Sequence, residues 1–369
     1  MSDKLNLLLV FGGKSGEHEV SLMSARSVLN AIDKEKYNVF QVGITKEGRW
    51  VHNPEALADF EAGKTNRLND ALIITRDEKP YLYNRVGSQL FEVAPIDIIF
   101  PVLHGTFGED GTIQGLFEIK NCAYVGAGVL GSALAMDKAM CKAVVTAAGI
   151  PTLPYGIYSR KEIMNDLDRV VGSTEATLAY PVFIKPANLG SSVGISKAKN
   201  RTQLEKALLL AAKYDRRILV EQGIDARELE ISDIGNEETL CSVPGEIVPG
   251  DEFYTYNDKY HSGDPEIAIP APIPAKLSEQ LRDWAIGAYK ATDCAGLARV
   301  DFLLDKDTGE AWFSEINTMP GFTRISMYAK LLQYSGIEYS QIVDRLIELG
   351  LERKADQDRT IRKFEVEND

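Results

Sequence analysis

The sequence predicts an α/β protein of two or three domains that opens with a doubly wound parallel sheet. Three observations carry this expectation. Apolar, strand-like runs alternate with helix-like segments through the first ~135 residues. A glycine-rich turn follows the first strand, where α/β sheets place ligands. At 369 residues and 44% apolar composition, the chain can bury more than one core. Leu5–Phe11 reads as a buried strand, Val20–Ile32 as a helix and Tyr37–Ile44 as a second strand. Ile98–Leu103 is a further strand, closed by His104-Gly105. The polar stretch between Asn53 and Gly87 has mixed character and no readable period. From Asp137 a helix leads to Gly149-Ile150-Pro151, a hinge into a second unit. That unit holds strand Val182–Lys185, a Gly/Ser loop, helix Thr202–Tyr214 and strand Ile218–Glu221. The third unit is strand-rich over Glu228–Val248, has an aromatic loop near 250–263, and continues with helix Ala275–Thr292. It closes with strands Gly296–Leu304 and Ala311–Ile316 around the turn Asp305–Gly309. Ser340–Glu352 is an amphipathic late helix, and the highly charged residues 353–369 are expected to fray.

Composition excludes several function classes. Net charge is -13 and no long basic run occurs, so nucleic-acid binding is not expected. Cys122, Cys141, Cys241 and Cys294 are scattered without CxxC spacing, which signals neither a zinc site nor a disulfide framework. The opening apolar run is too short for a signal peptide and no cleavage site follows, so a reducing, cytoplasmic setting is expected. No segment approaches ~18 continuous apolar residues, the length that spans a membrane.

Chemistry concentrates in the last hairpin. Residues two apart on a strand share a face, so Arg299 pairs in direction with Asp301, and Glu315 with Asn317. If the strands pair, three oxygen-donating side chains converge beside one guanidinium. Such a set suits Mg²⁺ held together with substrate phosphates, and so points to ATP chemistry. The segment GGKSGEHE after the first strand resembles the end of a P-loop, but Leu8 stands where the earlier glycine is required. What survives is a glycine turn at a strand's carboxyl end. HGTFGEDG occupies a second such position; His104 is either a direct participant or a structural histidine, and Asp110 or Thr112 can simply cap the next helix. KPANLGSSVG offers Lys185, backbone N–H groups and hydroxyls to an anion. VEQGI, residues 220–224, runs a strand into a glycine and suits either an adenine-contacting crossover or an ordinary strand end. FYTYNDKYH, residues 253–261, carries four aromatics among polar neighbours and reads as a lid or as an aromatic edge strand.

Taken in order, GGKSGEHEVS, HGTFGEDG, MDK, KPANLGSSVG, VEQGI, FYTYNDKY, GLARVDFLL and EINTMPGFT resemble the D-alanine–D-alanine ligases of the ATP-grasp superfamily, from about residue 4 to about 353. The resemblance implies a three-domain ATP-grasp fold: an N-terminal domain over 1–137, a central domain over 138–227, a C-terminal domain over 228–355 and a charged tail. It implies a homodimer, and Mg²⁺-dependent synthesis of D-alanyl-D-alanine for peptidoglycan, with two metal ions and Mn²⁺ able to substitute. By position, Lys138 and Lys185 match the lysines on the ATP phosphates, and Ser192 falls in the phosphate-covering loop. Glu221, Gln222, Gly223 and Ile224 match the adenine strand, Glu228 the ribose carboxylate, Phe253 the aromatic over adenine and Lys259 the lid lysine. Asp301, Glu315 and Asn317 match the metal ligands. Glu17, with His104 nearby, matches the grip on the first D-alanine, and Glu17, Ser191 and Tyr260 match a triad that ties the lid shut. Arg299 and the Gly321 amide match oxyanion donors, and Ser326 with the Met327 amide matches the grip on the second substrate's carboxylate.

Three alternatives are weighed against this reading. A related ligase taking D-lactate or D-serine second is countered by Lys259-Tyr260, a pair that supports D-alanine. His261 sits next to that tyrosine and not in its place, and Leu189 is the visible departure, standing where some relatives carry a charge. Another ATP-grasp amide-forming ligase would lack the GGKSGEHEVS start. A non-catalytic regulator would have lost a metal ligand or Arg299, and none is missing.

Overall fold

The structure is a computed structural model that describes residues 4–190, 193–248 and 266–361. Three sheets organise it. The first runs in the order β6-β5-β4-β3-β2-β1-β7. Here β1 is Leu5–Gly12, β2 Tyr37–Ile44, β3 Trp50–His52, β4 Asn69–Arg76, β5 Lys79–Val86, β6 Gln89–Pro95 and β7 Ile98–Val102. Helices α1 (His18–Ala31), α2 (Ala56–Glu61) and α3 (Thr112–Ile119) complete this part. The parallel, wound portion is β2-β1-β7 only. Residues 53–87, which gave no period, supply most of an antiparallel extension through β3 to β6. The β4–β5 turn is Asp77-Glu78, both at positive φ (50° and 62°). Glycine or asparagine ordinarily marks such a turn, so its sequence signal is missing.

Helices α4 (Val129–Met136) and α5 (Lys138–Ala147) lead to the second sheet, ordered β10-β9-β11-β8. Its strands are β8 Tyr155–Ser159, β9 Val182–Pro186, β10 Ser196–Ala198 and β11 Arg217–Gln222. Helices α6 (Arg160–Asn165), α7 (Leu167–Thr177) and α8 (Arg201–Tyr214) complete that unit, and Ile163, Val170, Leu204 and Leu208 close its core.

The third sheet runs β15-β14-β12-β16-β17, with β13 on β12. These are β12 Ala226–Gly235, β13 Thr239–Cys241, β14 Gly245–Val248, β15 Glu266–Ala268, β16 Gly296–Asp305 and β17 Ala311–Asn317. Helix α9 (Ala275–Ala291) covers it, and Ala135, Cys141 and Val145 of α4 and α5 join the same core. The four cysteines are free and buried. The chain then returns to its beginning. Phe322, helix α10 (Met327–Tyr334) and helix α11 (Tyr339–Gln357) share one core with Leu7, Leu9, Phe11 and Phe100 of the first sheet.

That last packing corrects one expectation. Residues 353–357 do not fray; they finish α11, where the Arg353 guanidinium lies 4.1 Å from the Tyr124 ring centre and donates to the Tyr124 carbonyl at 3.2 Å. Among the described residues no helix is long and apolar enough to cross a membrane.

Candidate active site

The hairpin of β16 and β17 pairs Arg299 with Asn317 and Asp301 with Glu315. A bulge follows at once, with Phe302 opposite Phe313, so Ser314 is the extra residue on β17. The bulge lets Phe313 and Ile316 both point into the core while Glu315 and Asn317 share the face of Arg299 and Asp301. Arg299 grips Asp301 with both prongs, Nε to Oδ1 at 2.7 Å and Nη2 to Oδ2 at 2.6 Å. Its Nε also lies 3.0 Å from Oε2 of Glu230 on β12. Burial opposes the charge on Arg299, but Asp301 and Glu230 outweigh it and keep the guanidinium ionised. The Asn317 amide donates to Asp301 Oδ2 at 3.0 Å.

Cations face these carboxylates. Lys138 Nζ lies 3.1 Å from Glu315 Oε2 and donates to the Leu189 carbonyl at 2.9 Å. Its helix is fixed by Asp137, which caps α5 through the Met140 N–H, accepts from Asn188 Nδ2 at 2.7 Å and pairs with Arg217. Lys185 Nζ bonds Glu221 Oε2 at 2.6 Å, and the other Glu221 oxygen lies 2.5 Å from Lys142 Nζ. Burial alone would raise the Glu221 carboxyl, but the two ammonium groups hold it below its ordinary value.

On the N-terminal side, the glycine turn after β1 and the loop after β7 flank a mostly apolar cavity of about 270 Å³. Gly13, Lys14, Trp50, Leu103 and Phe107 are among its lining residues. Ser15 Oγ donates to the His104 carbonyl at 2.8 Å, and the Glu17 N–H donates to Ser15 Oγ at 3.0 Å. A β-carbon on Gly105 (φ +73°) would fall 2.3 Å from Glu17 Oε2, and one on Gly190 2.9 Å away. Glu17 thus sits between the HGTFGEDG loop and the Gly/Ser loop. His104 is buried; Nδ1 donates to the Met319 carbonyl at 2.9 Å and Nε2 meets Ser24 Oγ at 3.0 Å. Burial lowers its pKa, so the ring is neutral and both nitrogens are engaged by protein. Glu109 ties the same two loops: Oε2 accepts from the Gly105 N–H at 2.6 Å and Oε1 from the Met319 N–H at 3.0 Å. Burial, reinforced by Glu17, pushes its carboxyl up to about 8.

Residues 6–127 match the D-ala D-ala ligase N-terminus family and residues 144–348 the D-ala D-ala ligase C-terminus family. The chain belongs to the D-alanine–D-alanine ligase family. It is 47% identical over 362 residues to the D-alanine–D-alanine ligase of Natranaerobius thermophilus, covering 98% of this chain and 99% of that one. It is 50% identical over 356 residues to that of Thermoanaerobacter sp., covering 95% and 97%. Among solved structures it resembles the D-alanine–D-alanine ligase of Coxiella burnetii, with a TM-score of 0.82 and 32% identity over 97% of each chain. It also resembles the VanG D-Ala:D-Ser ligase of Enterococcus faecalis, with a TM-score of 0.81 and 34% identity over 94% of this chain and 100% of that one.

The remaining residues singled out by the resemblance fall into three groups. Gln222 is tied by its own amide to Ala179 (2.9 Å to both N and O), and the Gly223 N–H donates to the Pro181 carbonyl at 2.9 Å. The Glu221 side chain is sealed between two lysines, and the Gln222 N–H donates to the Pro154 carbonyl at 2.9 Å. Ile224 is half-buried, and Glu228 is paired in register with Ile247 and Leu303. Ser326 precedes α10 and donates to the Thr323 carbonyl at 2.7 Å. Gly321 lies beside it, and the Met327 N–H opens the helix, a favourable end for a carboxylate. Ser191, Ser192, Phe253, Lys259 and Tyr260 lie outside the described residues.

The donor chemistry fits a divalent metal carried with phosphates. Asp301 and Glu315 supply two carboxylates and Asn317 an amide oxygen, all from one strand pair, with lysines opposite. Among the described residues no group of three or more His, Cys, Asp or Glu forms an all-protein metal cage. Sequence reasoning missed Glu109, Ser24, Glu230 and Lys142. Glu109 lies within the HGTFGEDG motif, yet only the fold reveals its two backbone donors, Gly105 and Met319.

Proposed function

We propose that this chain joins two D-alanines into D-alanyl-D-alanine, with conversion of ATP to ADP and phosphate, for peptidoglycan precursor synthesis. One observation supports the mechanism: a guanidinium and two carboxylates of the β16–β17 hairpin face Lys138 of α5, with Lys185 held on Glu221. The first D-alanine, its ammonium held by Glu17, attacks the γ-phosphate through its carboxylate and becomes D-alanyl phosphate. Phosphoryl transfer needs positioning and charge neutralisation, which Lys138, Lys185 and the lid lysine Lys259 provide. Asp301, Glu315 and Asn317 would hold Mg²⁺, which would supply further neutralisation of the phosphates. We propose two ions there, with Mn²⁺ able to replace them. The second D-alanine, its carboxylate gripped by Ser326 and the Met327 N–H, attacks the acyl carbon through its neutral amine. Arg299 and the Gly321 N–H stabilise the oxyanion. Collapse expels phosphate and leaves the peptide bond. The Glu17–Ser191–Tyr260 triad closes the lid with Ser192 over the phosphates, and Phe253 covers the adenine near Glu221 to Ile224, with Glu228 on the ribose. Excluding water protects the acyl phosphate.

The domain limits are 1–137, 138–227 and 228–355, and the working form is a cytoplasmic homodimer. Four reduced cysteines suit that compartment, and the exposed Val86, Leu90 and Phe91 near the sheet edge suit burial by a partner. The second reading, D-serine or D-lactate as second substrate, is kept because a D-Ala:D-Ser ligase shares the fold at comparable identity. The test is ADP release with Mg²⁺-ATP and D-alanine, beside L-alanine, D-serine and D-alanine plus D-lactate, with products weighed by mass spectrometry. D-alanine alone is expected to give the dipeptide. Turnover only with a mixed pair would transfer the assignment to the second reading.

A further inference from the structure

Lys142 has no role in the mechanism above, yet it is among the most completely buried charged side chains of the described molecule, with 1% of its side chain exposed. It lies in the stretch between the two family matches. It stands one helical turn after Lys138 on α5, so both lysines leave the same face of that helix. Their partners differ. Lys138 reaches the metal-type carboxylate Glu315, whereas Lys142 turns inward to Glu221 and donates to the Phe313 carbonyl at 3.2 Å. Glu221 is therefore held between a sealed lysine and Lys185, whose side chain keeps 15% exposure. A single buried ion pair would lock Lys185 in place, because leaving would strand an uncompensated buried carboxylate. The second lysine removes that obstacle.

We propose that Lys142 is a positioning residue: the fixed counter-ion of Glu221 that frees Lys185 to engage the phosphates of ATP. This rests on the reading of Lys185 as a phosphate ligand. Lys142 itself touches no substrate. It acts by keeping Glu221 compensated in both positions of Lys185.

The experiment measures ATP dissociation constants and the KM values for ATP and D-alanine in five full-length variants. Lys185→Met tests the underlying reading: ATP binding should weaken at least about tenfold, and an unchanged value overturns the phosphate role itself. Lys142→Met should weaken ATP at least about tenfold while the D-alanine KM moves less than about threefold. Lys142→Arg should stay within about threefold of the parent. Glu221→Gln sets its own baseline, and Lys142→Met/Glu221→Gln should match it, because a neutral side chain at 221 needs no counter-ion. With Lys185 confirmed, a double variant much weaker than Glu221→Gln, or Lys142→Arg impaired about tenfold, overturns the proposal. Both comparisons stand even if Lys142→Met fails to fold. Parent-like ATP binding by Lys142→Met overturns it too.

Discussion

Replacing Arg299 with alanine separates catalysis from support at the hairpin. The side chain does two things at once: its fork holds Asp301, and its Nε neighbours Glu230 at 3.0 Å. As an oxyanion donor it should contribute about 2.7–4 kcal/mol to the barrier, the usual cost of removing one such donor. At about 1.36 kcal/mol per tenfold, Arg299→Ala is expected to lose roughly 10²–10³ in kcat. Removing one partner of a buried ion cluster also destabilises, by about 3–5 kcal/mol when burial is complete; 17% side-chain exposure places this site below that. The melting curve must therefore be taken first and kcat referred to folded protein. ADP release is then followed at saturating ATP and D-alanine across a Mg²⁺ titration. If Arg299 merely organised Asp301 for the metal, excess Mg²⁺ would restore turnover, since a weakened site still fills at high metal concentration. An oxyanion donor is not replaced that way. Recovery to within tenfold of the parent at high Mg²⁺ would refute the oxyanion role.

Other perturbations test neighbouring parts. Gly105→Ala sets a β-carbon against Glu17 at a left-handed φ, and is expected to raise the D-alanine KM about tenfold or more with less effect on ATP, read from initial rates. Because Glu109 ionises near pH 8 beside Glu17, D-alanine KM should change above that pH in the parent and flatten in Glu109→Gln; parallel profiles would dismiss the assignment. Asp233 is buried without a well-formed hydrogen bond, and burial lifts its carboxyl from 3.8 to about 7. Its folded value lies above its unfolded one, so stability is lost as pH rises from about 4 to 7. Asp233→Asn should gain up to about 4 kcal/mol at pH 8 and little near pH 4, seen as a melting-temperature gap that widens with pH. Tyr260→Phe is expected to loosen the lid and shift preference toward a hydroxy-acid second substrate, measured as the ratio of D-lactate to D-alanine product.

The hairpin was legible because strand period alone fixes which residues share a face, and register then brought Arg299, Asp301, Glu315 and Asn317 together. Tyr37–Ile44 was read to the residue for a similar reason, as an apolar run flanked by polar turns. What stayed hidden depends on distant partners. Glu109 reads as a loop acid until Met319, from a separate part of the chain, donates to it. Lys142 reads as one more lysine on an amphipathic helix until β11 brings Glu221 beneath it. The β4–β5 turn uses Asp77 and Glu78 where glycine would have announced it. The bulge at Ser314 follows from pairing, which one strand's sequence does not contain.

The shared core of the first sheet and the last two helices also governs how the chain can be made. Strand β1 is complete at Gly12, but its underside is closed by helix α11, which begins at Tyr339. About 330 residues must leave the ribosome between those events, a delay of roughly 15–70 s at ordinary elongation rates. During that interval the apolar face of Leu7, Leu9 and Phe100 lacks its final cover, and a nascent-chain chaperone has a binding surface. A message truncated before α11 would leave its product permanently in that state, marking it for proteolysis rather than yielding a partial enzyme.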